Sequence, residues 1–225
     1  SFDKAYAMMR NVIQAEASRL SFLSDSARIS SDDKRSFERF RKEQDTEADL
    51  YGSLKMLTEL LHKHYGRKAI LLIDEYDVPL DKAYQHGYYD EMLDLIRTMF
   101  GSALKTNDSL HFAVMTGCLR VSKESIFTGL NNLKVHSIAD AQFDEYFGFT
   151  DDEVGKVLSN YGLKAHHDEV KEWYDGYRFG KQDVYCPWDV INYCYDLLAD
   201  REAKPQAYWL NTSGNDMVCR LIDKA

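Results

Sequence analysis

Apolar residues recur at helical spacing through much of this chain. Tyr6, Met9, Ile13, Ala17 and Leu20 share one face and predict an amphipathic helix over Phe2 to Leu20. From Ser24 to Thr46 the chain turns polar, with Ile29, Phe37 and Phe40 as its large apolar residues. That texture predicts a loop and then a short surface helix starting near Ser31 or Asp32, where a side chain can cap the first turn. Leu50, Leu54, Leu57, Leu60 and Leu61 form the next stripe, and Gly66 suits the left-handed cap that ends it. A polar segment follows Pro79 and Leu80. Met92, Leu95, Ile96, Met99, Phe100, Ala103 and Leu104 then predict a helix over Tyr88 to Leu104, broken at Asn107 and Asp108.

Three stretches depart from helical spacing. Ala69 to Ile73 is apolar without interruption and runs straight into Asp74, Glu75, Tyr76 and Asp77. A short apolar run bounded by polar residues reads as a strand buried on both faces, as in a parallel sheet covered by helices. His111 to Met115 is a second such run, ending in Thr116, Gly117, Cys118 and then Arg120. Val135 to Ile138 is a weaker third, after a linker carrying Ser122, Ser125 and Thr128. Strands alternating with helices make an α/β fold, and right-handed crossovers set the polar ends of all three strands on one sheet edge.

After about residue 140 the chain becomes richer in aromatics and loses long apolar runs. Thr150 and Glu153 have capping-box spacing, Val154, Val157, Leu158 and Tyr161 line one helical face, and Gly162 ends it. A second short helix runs up to Tyr174, and Asp175-Gly176 predicts a turn. Tyr177 to Phe179 and Val184 to Cys186 can pair as a small hairpin around Gly180 to Asp183, and Pro187 opens a helix through Leu198. Thr212 or Ser213 can cap one more.

Composition narrows the class. With 44 % hydrophobic and 29 % charged residues, the chain reads as globular rather than disordered. No apolar run approaches the roughly 20 residues a membrane span requires, and the start has no signal-peptide pattern. A net charge of −9 speaks against a broad basic surface for nucleic acid. Cys118, Cys186, Cys194 and Cys219 make no CxxC and have no close histidine partners, so reduced thiols in a cytoplasmic protein are the simpler reading than zinc.

Chemistry concentrates at Lys68 to Leu80, the stretch KAILLIDEYDVPL. Apolar strand, Asp, Glu is the form of a Walker B element, in which the acid serves Mg²⁺ beside phosphates and the Glu polarises water. The alternative is a buried strand running into a solvated acidic loop. The partner element, a glycine-rich loop with Lys and Ser or Thr, has no match in the sequence. Gly176 to Gln182 (GYRFGKQ) has three residues between its glycines where four are needed, and Gly155-Lys156-Val157 lies inside the capped helix.

Six ordered stretches resemble the predicted AAA-ATPase-like family of bacterial P-loop ATPases: Lys68 to Leu80, Phe112 to Leu130, Tyr146 to Val154, Trp173 to Gly180, Tyr185 to Val190 and Tyr208 to Asn215. The first 60 residues match it only loosely. The resemblance implies a fragment of an ATPase whose phosphate loop and first strands precede this region, beside the strand at His111 to Met115. Many relatives carry a PD-(D/E)XK nuclease-like domain after it. The expected architecture is an incomplete P-loop NTPase-type parallel sheet flanked by helices over residues 1–140, then a mostly helical, lid-like subdomain with a small hairpin over 141–225.

By the same resemblance, Asp74 is the Mg²⁺-coordinating acid, Glu75 the water-activating base and Thr116 the polar sensor near the γ-phosphate. Arg120 contacts phosphate in cis or on a neighbouring subunit. ATP and Mg²⁺ are thus implied for the parent protein and not expected to bind this chain tightly. The bland alternatives are a strand-ending turn at Thr116-Gly117, a surface ion pair for Arg120 and a loop cap for Asp77. Trp173, Tyr177 and Phe179 are expected as core aromatics, and His62, His64, His166 and His167 as solvent-facing helix residues. Rival functions are a protein-binding or self-associating module on a degenerate ATPase scaffold, and a nucleic-acid-associated factor. No membrane partner is expected.

Overall fold

The computed structural model describes residues 1–42, 46–118, 130 and 133–210. Arg120, Ser122, Ser125, Thr128, Thr212, Ser213 and Cys219 lie outside the described residues. The fold is mixed α/β, with one small parallel and one small antiparallel sheet. The chain divides into two compact units, Ser1–Leu133 and Lys134–Ala225.

In the first unit the core is made of helix faces. Helix α1 (Phe2–Arg19) turns Ile13 and Ala17 inward, as its spacing predicts. Helix α2 (Ser31–Arg41) is capped by Ser30, whose Oγ accepts the Asp33 N–H at 3.2 Å. It is less of a surface helix than its polar sequence suggests, because Phe37 and Phe40 are each only 1 % exposed. Helix α3 (Glu47–Tyr65) buries Leu50, Leu57 and Leu60 and ends at Gly66, where φ is +68°. A residue with a Cβ adopts that conformation only at a cost.

The segment after Leu80 is a helix rather than a polar stretch. Helix α4 (Val78–His86) has Pro79 in its first turn and Leu80 and Ala83 on its buried side, with Gly87 closing it. Its two inward residues were too few to make a stripe among Asp81, Lys82, Gln85 and His86. Helix α5 (Tyr89–Leu104) buries Met92, Leu95, Ile96, Met99, Phe100 and Ala103.

Strands β1 (Ala69–Ile73) and β2 (Leu110–Met115) pair in parallel, with Ile70 opposite Phe112 and Ile73 opposite Met115. Helices α3 and α5 pack on them, and Ile73 and Met115 join the helical core. On the opposite face Ile70 is 52 %, Leu72 73 %, Phe112 46 % and Val114 46 % exposed. The expected burial on both faces is therefore corrected to burial on one: among the described residues no helix covers the other side.

The second unit has its own core. Val135 to Ile138 is not a strand; the Ser137 N–H bonds the Asp140 carboxylate at 2.7 Å, and the Asp140 N–H returns to the Ser137 carbonyl at 3.0 Å. A side-chain-closed turn forms there, and among the described residues the run meets no partner strand. Helix α6 (Asp151–Asn160) starts at the Thr150 and Glu153 capping box and buries Val154 and Leu158, while Tyr161 stays 48 % exposed. Helix α7 (His167–Tyr174) leads into the hairpin of β3 (Asp175–Phe179) and β4 (Gln182–Tyr185).

Asp175-Gly176 opens β3 instead of turning, and the turn is Gly180-Lys181 alone. Gly180 is required there: its φ is +53°, and a Cβ would lie 2.5 Å from the Asp140 carbonyl oxygen. Helix α8 (Pro187–Ala199) completes the core with Val190, Tyr193, Cys194 and Leu197. Trp173 and Tyr177, expected inside, are 54 % and 51 % exposed. Tyr174, one position further round α7, fills the core instead and donates its hydroxyl to the Gln206 carbonyl.

Candidate functional site

The carboxyl ends of β1 and β2 bring together most of the residues singled out from the sequence. Thr116 follows β2 directly and is stitched to the end of β1. Its N–H donates to the Ile73 carbonyl at 2.9 Å, and its own carbonyl accepts the Tyr76 N–H at 3.0 Å. Its hydroxyl donates to Asp74 Oδ1, and Thr116 Oγ1 in turn accepts the Glu75 N–H at 3.4 Å. Asp74 and Glu75 are exposed, so their carboxylates face water at the strand end. Glu75 sits at φ +51°, in the left-handed region that residues with a Cβ seldom occupy.

The turn continues into α4. Asp77 stands at the N-cap position, where its carbonyl accepts from the Leu80 and Asp81 N–H groups at 3.0 and 2.9 Å. Its side chain makes no cap bond; it is buried, 4 % exposed, against the end of β2. The expectation that the Asp77 side chain caps the loop is therefore corrected: Asp77 holds the N-cap position through its backbone alone. A Cβ on Gly117 would lie 2.7 Å from Asp77 Oδ1 and 2.8 Å from the Tyr76 ring, so only glycine lets the two segments close this far. The one sequence signal for this contact was a glycine directly after the strand-ending threonine.

Cys118 completes the edge. Although the residue is exposed, partial desolvation first, and then the charges of Asp77, Glu75 and Asp74, push its thiol above the ordinary range, which makes it a poor nucleophile. Among the described residues no group of three or more His, Cys, Asp or Glu side chains is arranged to hold a metal ion. What the edge offers is two accessible carboxylates, one anchored by a hydroxyl, at a site where open α/β sheets take their ligands. Arg120 falls outside the described residues.

The other candidates have local settings of their own. Gly176 to Gln182 is the β3–β4 hairpin, and Gly155 to Val157 is the interior of α6. The histidines are half-buried rather than solvent-facing. His62 Nδ1 meets Ser109 Oγ at 3.1 Å and His64 Nδ1 meets Ser26 Oγ at 2.9 Å. His166 lies 3.3 Å from Glu169 and His167 3.5 Å from Asp151.

Comparison with known proteins places the chain in a family. The family model described as predicted AAA-ATPase, of the AAA-ATPase-like family, matches residues 4–127. The chain belongs to that family. The match takes in α1 to β2 and both strand ends of the acidic edge, including the N-terminal region whose resemblance was loose. The AAA-ATPase-like chain is also 33 % identical over 153 residues to an uncharacterized protein in the vnfD 5'region of Azotobacter chroococcum mcd 1. That alignment covers 67 % of this chain and 28 % of the relative, so the chain spans well under a third of that protein's length. No solved structure matches. No described helix is long and apolar enough to cross a membrane.

Proposed function

We propose that the β1–β2 edge is the acidic half of an ATP-hydrolysing site on an incomplete P-loop-type sheet, with β1 as its Walker B strand. The observation that supports it most is the Asp74–Thr116 contact: an exposed acid at one strand end is held by a hydroxyl at the end of the neighbouring parallel strand. Asp74 fits a hard cation bound largely through water, since Mg²⁺ beside a nucleotide takes only one or two protein carboxylates. Bound there, Mg²⁺ would neutralise phosphate charge. Glu75, exposed and next in sequence, is the group to accept a proton from the attacking water.

The phosphate side of the site does not fit this chain. Its sequence has no Walker A pattern. Without backbone amides and a lysine to cradle phosphates, two carboxylates repel ATP rather than attract it. Titration of the chain with MgATP in a calorimeter is therefore expected to show no tight isotherm. In a longer chain that supplies a phosphate loop, turnover is expected, and Glu75→Gln is expected to abolish it while sparing nucleotide binding. Turnover that survives Glu75→Gln sinks the assignment. The ATPase activity goes with a cytoplasmic location, where the free thiols of Cys118, Cys186 and Cys194 persist.

A second reading rests on a different observation. The bare face of Ile70, Leu72, Phe112 and Val114, on a pair that no further strand joins among the described residues, suits a protein contact on a degenerate ATPase scaffold. A tight complex that forms equally well with Glu75→Gln and without nucleotide would favour it.

A further inference from the structure

We infer that Thr116 is a positioning residue for the Asp74–Glu75 pair and does not itself reach the nucleotide. The inference rests on the ATPase reading for what Glu75 does, and on geometry alone for what holds Glu75 in place. A threonine hydroxyl has one proton to donate and two lone pairs to accept with. Here the proton goes to Asp74 Oδ1 and a lone pair takes the Glu75 N–H at 3.4 Å. The backbone N–H and carbonyl of Thr116 are engaged by Ile73 and Tyr76 at 2.9 and 3.0 Å. Its two donors are thus both committed to the segment Ile73 to Tyr76, and no proton is left for a phosphate oxygen.

That segment is where holding is required. Glu75 at φ +51° occupies a conformation that persists only when its surroundings impose it. Thr116 takes the Glu75 N–H on its side chain and the following N–H, of Tyr76, on its carbonyl. Gly117 closes the arrangement by letting Tyr76 and Asp77 lie against the strand end. Removing the Thr116 hydroxyl releases Glu75 toward ordinary backbone angles and moves its carboxylate relative to Asp74. The β1–β2 ladder, made by backbone groups, stays.

The test compares Thr116→Val, nearly the same shape without the hydroxyl, with Thr116→Ser, which keeps it. In the 225-residue chain, amide exchange and φ-sensitive NMR couplings are read at Glu75 and Tyr76. With valine the Glu75 amide is expected to exchange about fivefold faster, the size of one modest hydrogen bond, and its couplings to leave the left-handed pattern. Tyr76 is expected to keep its rate, and serine to restore Glu75. Unchanged Glu75 behaviour in Thr116→Val overturns the inference, and so does equal acceleration at Tyr76, which would mean that the whole edge had come apart.

In a longer chain with a phosphate loop, Thr116→Val is expected to lower kcat by about tenfold to a hundredfold with KM little changed, as misplacing a reacting group does. A raised KM with kcat preserved would mean that Thr116 touches the nucleotide, against the inference. Glu75→Gln in the same series keeps the two ideas apart. If turnover survives it, the ATPase assignment of Glu75 fails, while the exchange result still decides whether Thr116 sets the Glu75 backbone.

Discussion

The two units differ in how far their small sheets enter the core. In the first, helices α1, α2, α3 and α5 pack mainly on one another, and the two-stranded sheet lies at the border of that core with one face bare. In the second, β4 runs between β3 and a bridge from Phe149, and Val184 and Tyr185 are each 1 % exposed. Polar tips differ as well. Tyr193 donates to Glu169 at 2.6 Å, Tyr208 to Asp196 at 2.5 Å, and Tyr185 to Asp151, so the second unit closes three of its phenols with carboxylates, while Tyr174 uses the Gln206 carbonyl. The first unit instead leaves Asp74 and Glu75 exposed at its strand ends. The first sheet, which only borders its core, is free to present an acidic edge; in the second, β4 turns Tyr185 into a core that helices α6, α7 and α8 otherwise supply.

The largest expected effect strikes the closed core. Leu158 is fully buried, and Leu158→Ala should cost about 2–5 kcal/mol by lost burial and the cavity left behind. Denaturant melts followed by amide exchange should show protection lost in α6, α7 and α8 while α3 and α5 keep theirs. Equal loss in both units would break the contrast.

A smaller effect comes from the phenols. Burial, ahead of the neighbouring carboxylates, pushes Tyr174 up to about 12 and raises Tyr185, Tyr193 and Tyr208 above their usual 10.0. A phenol whose folded pKa exceeds its unfolded value favours folding fully below pH 10.0, and that contribution is lost as pH rises through the folded value, about 12 for Tyr174. The second unit should therefore lose amide protection progressively above pH 10.0. Tyr193→Phe should cost about 1–2 kcal/mol at neutral pH, because Glu169 loses a donor, and should remove part of the alkaline loss. A flat alkaline profile in the wild-type chain would show that these phenols are not held as described.

The smallest effect probes the bare face. Leu72 is 73 % exposed, and Leu72→Ala should change stability by no more than about 0.5 kcal/mol. A cost like that of Leu158→Ala would mean that the face is covered in solution, by a second copy or another segment, and would sharpen the protein-contact reading.

Much of this was legible in the sequence where the signal is local. The stripe from Leu50 to Leu61 with Gly66, the box of Thr150 and Glu153, and the run from Ala69 to Ile73 with its terminal acids depend on neighbours a few residues away. Helix α4 was not legible, because only Leu80 and Ala83 face inward. Nor was the exposure of Trp173 and Tyr177, since aromatic composition says nothing about which ring the core selects. At the acidic edge, Asp74, Glu75 and Thr116 could be named from their places after apolar runs. Their mutual geometry could not.

Local order along the chain settled where most of the helices and the pair β1 and β2 form and that acids follow β1, because spacing and capping act within one or two turns. Three-dimensional packing settled which sheet face stays bare, which tyrosines reach carboxylates, and that Glu75 adopts a left-handed backbone. It also placed the Thr116 hydroxyl on Asp74, 42 residues earlier in the chain. That contact depends on the parallel register of Ile73 with Met115, and register is a property of two strands docked on a shared layer of helices.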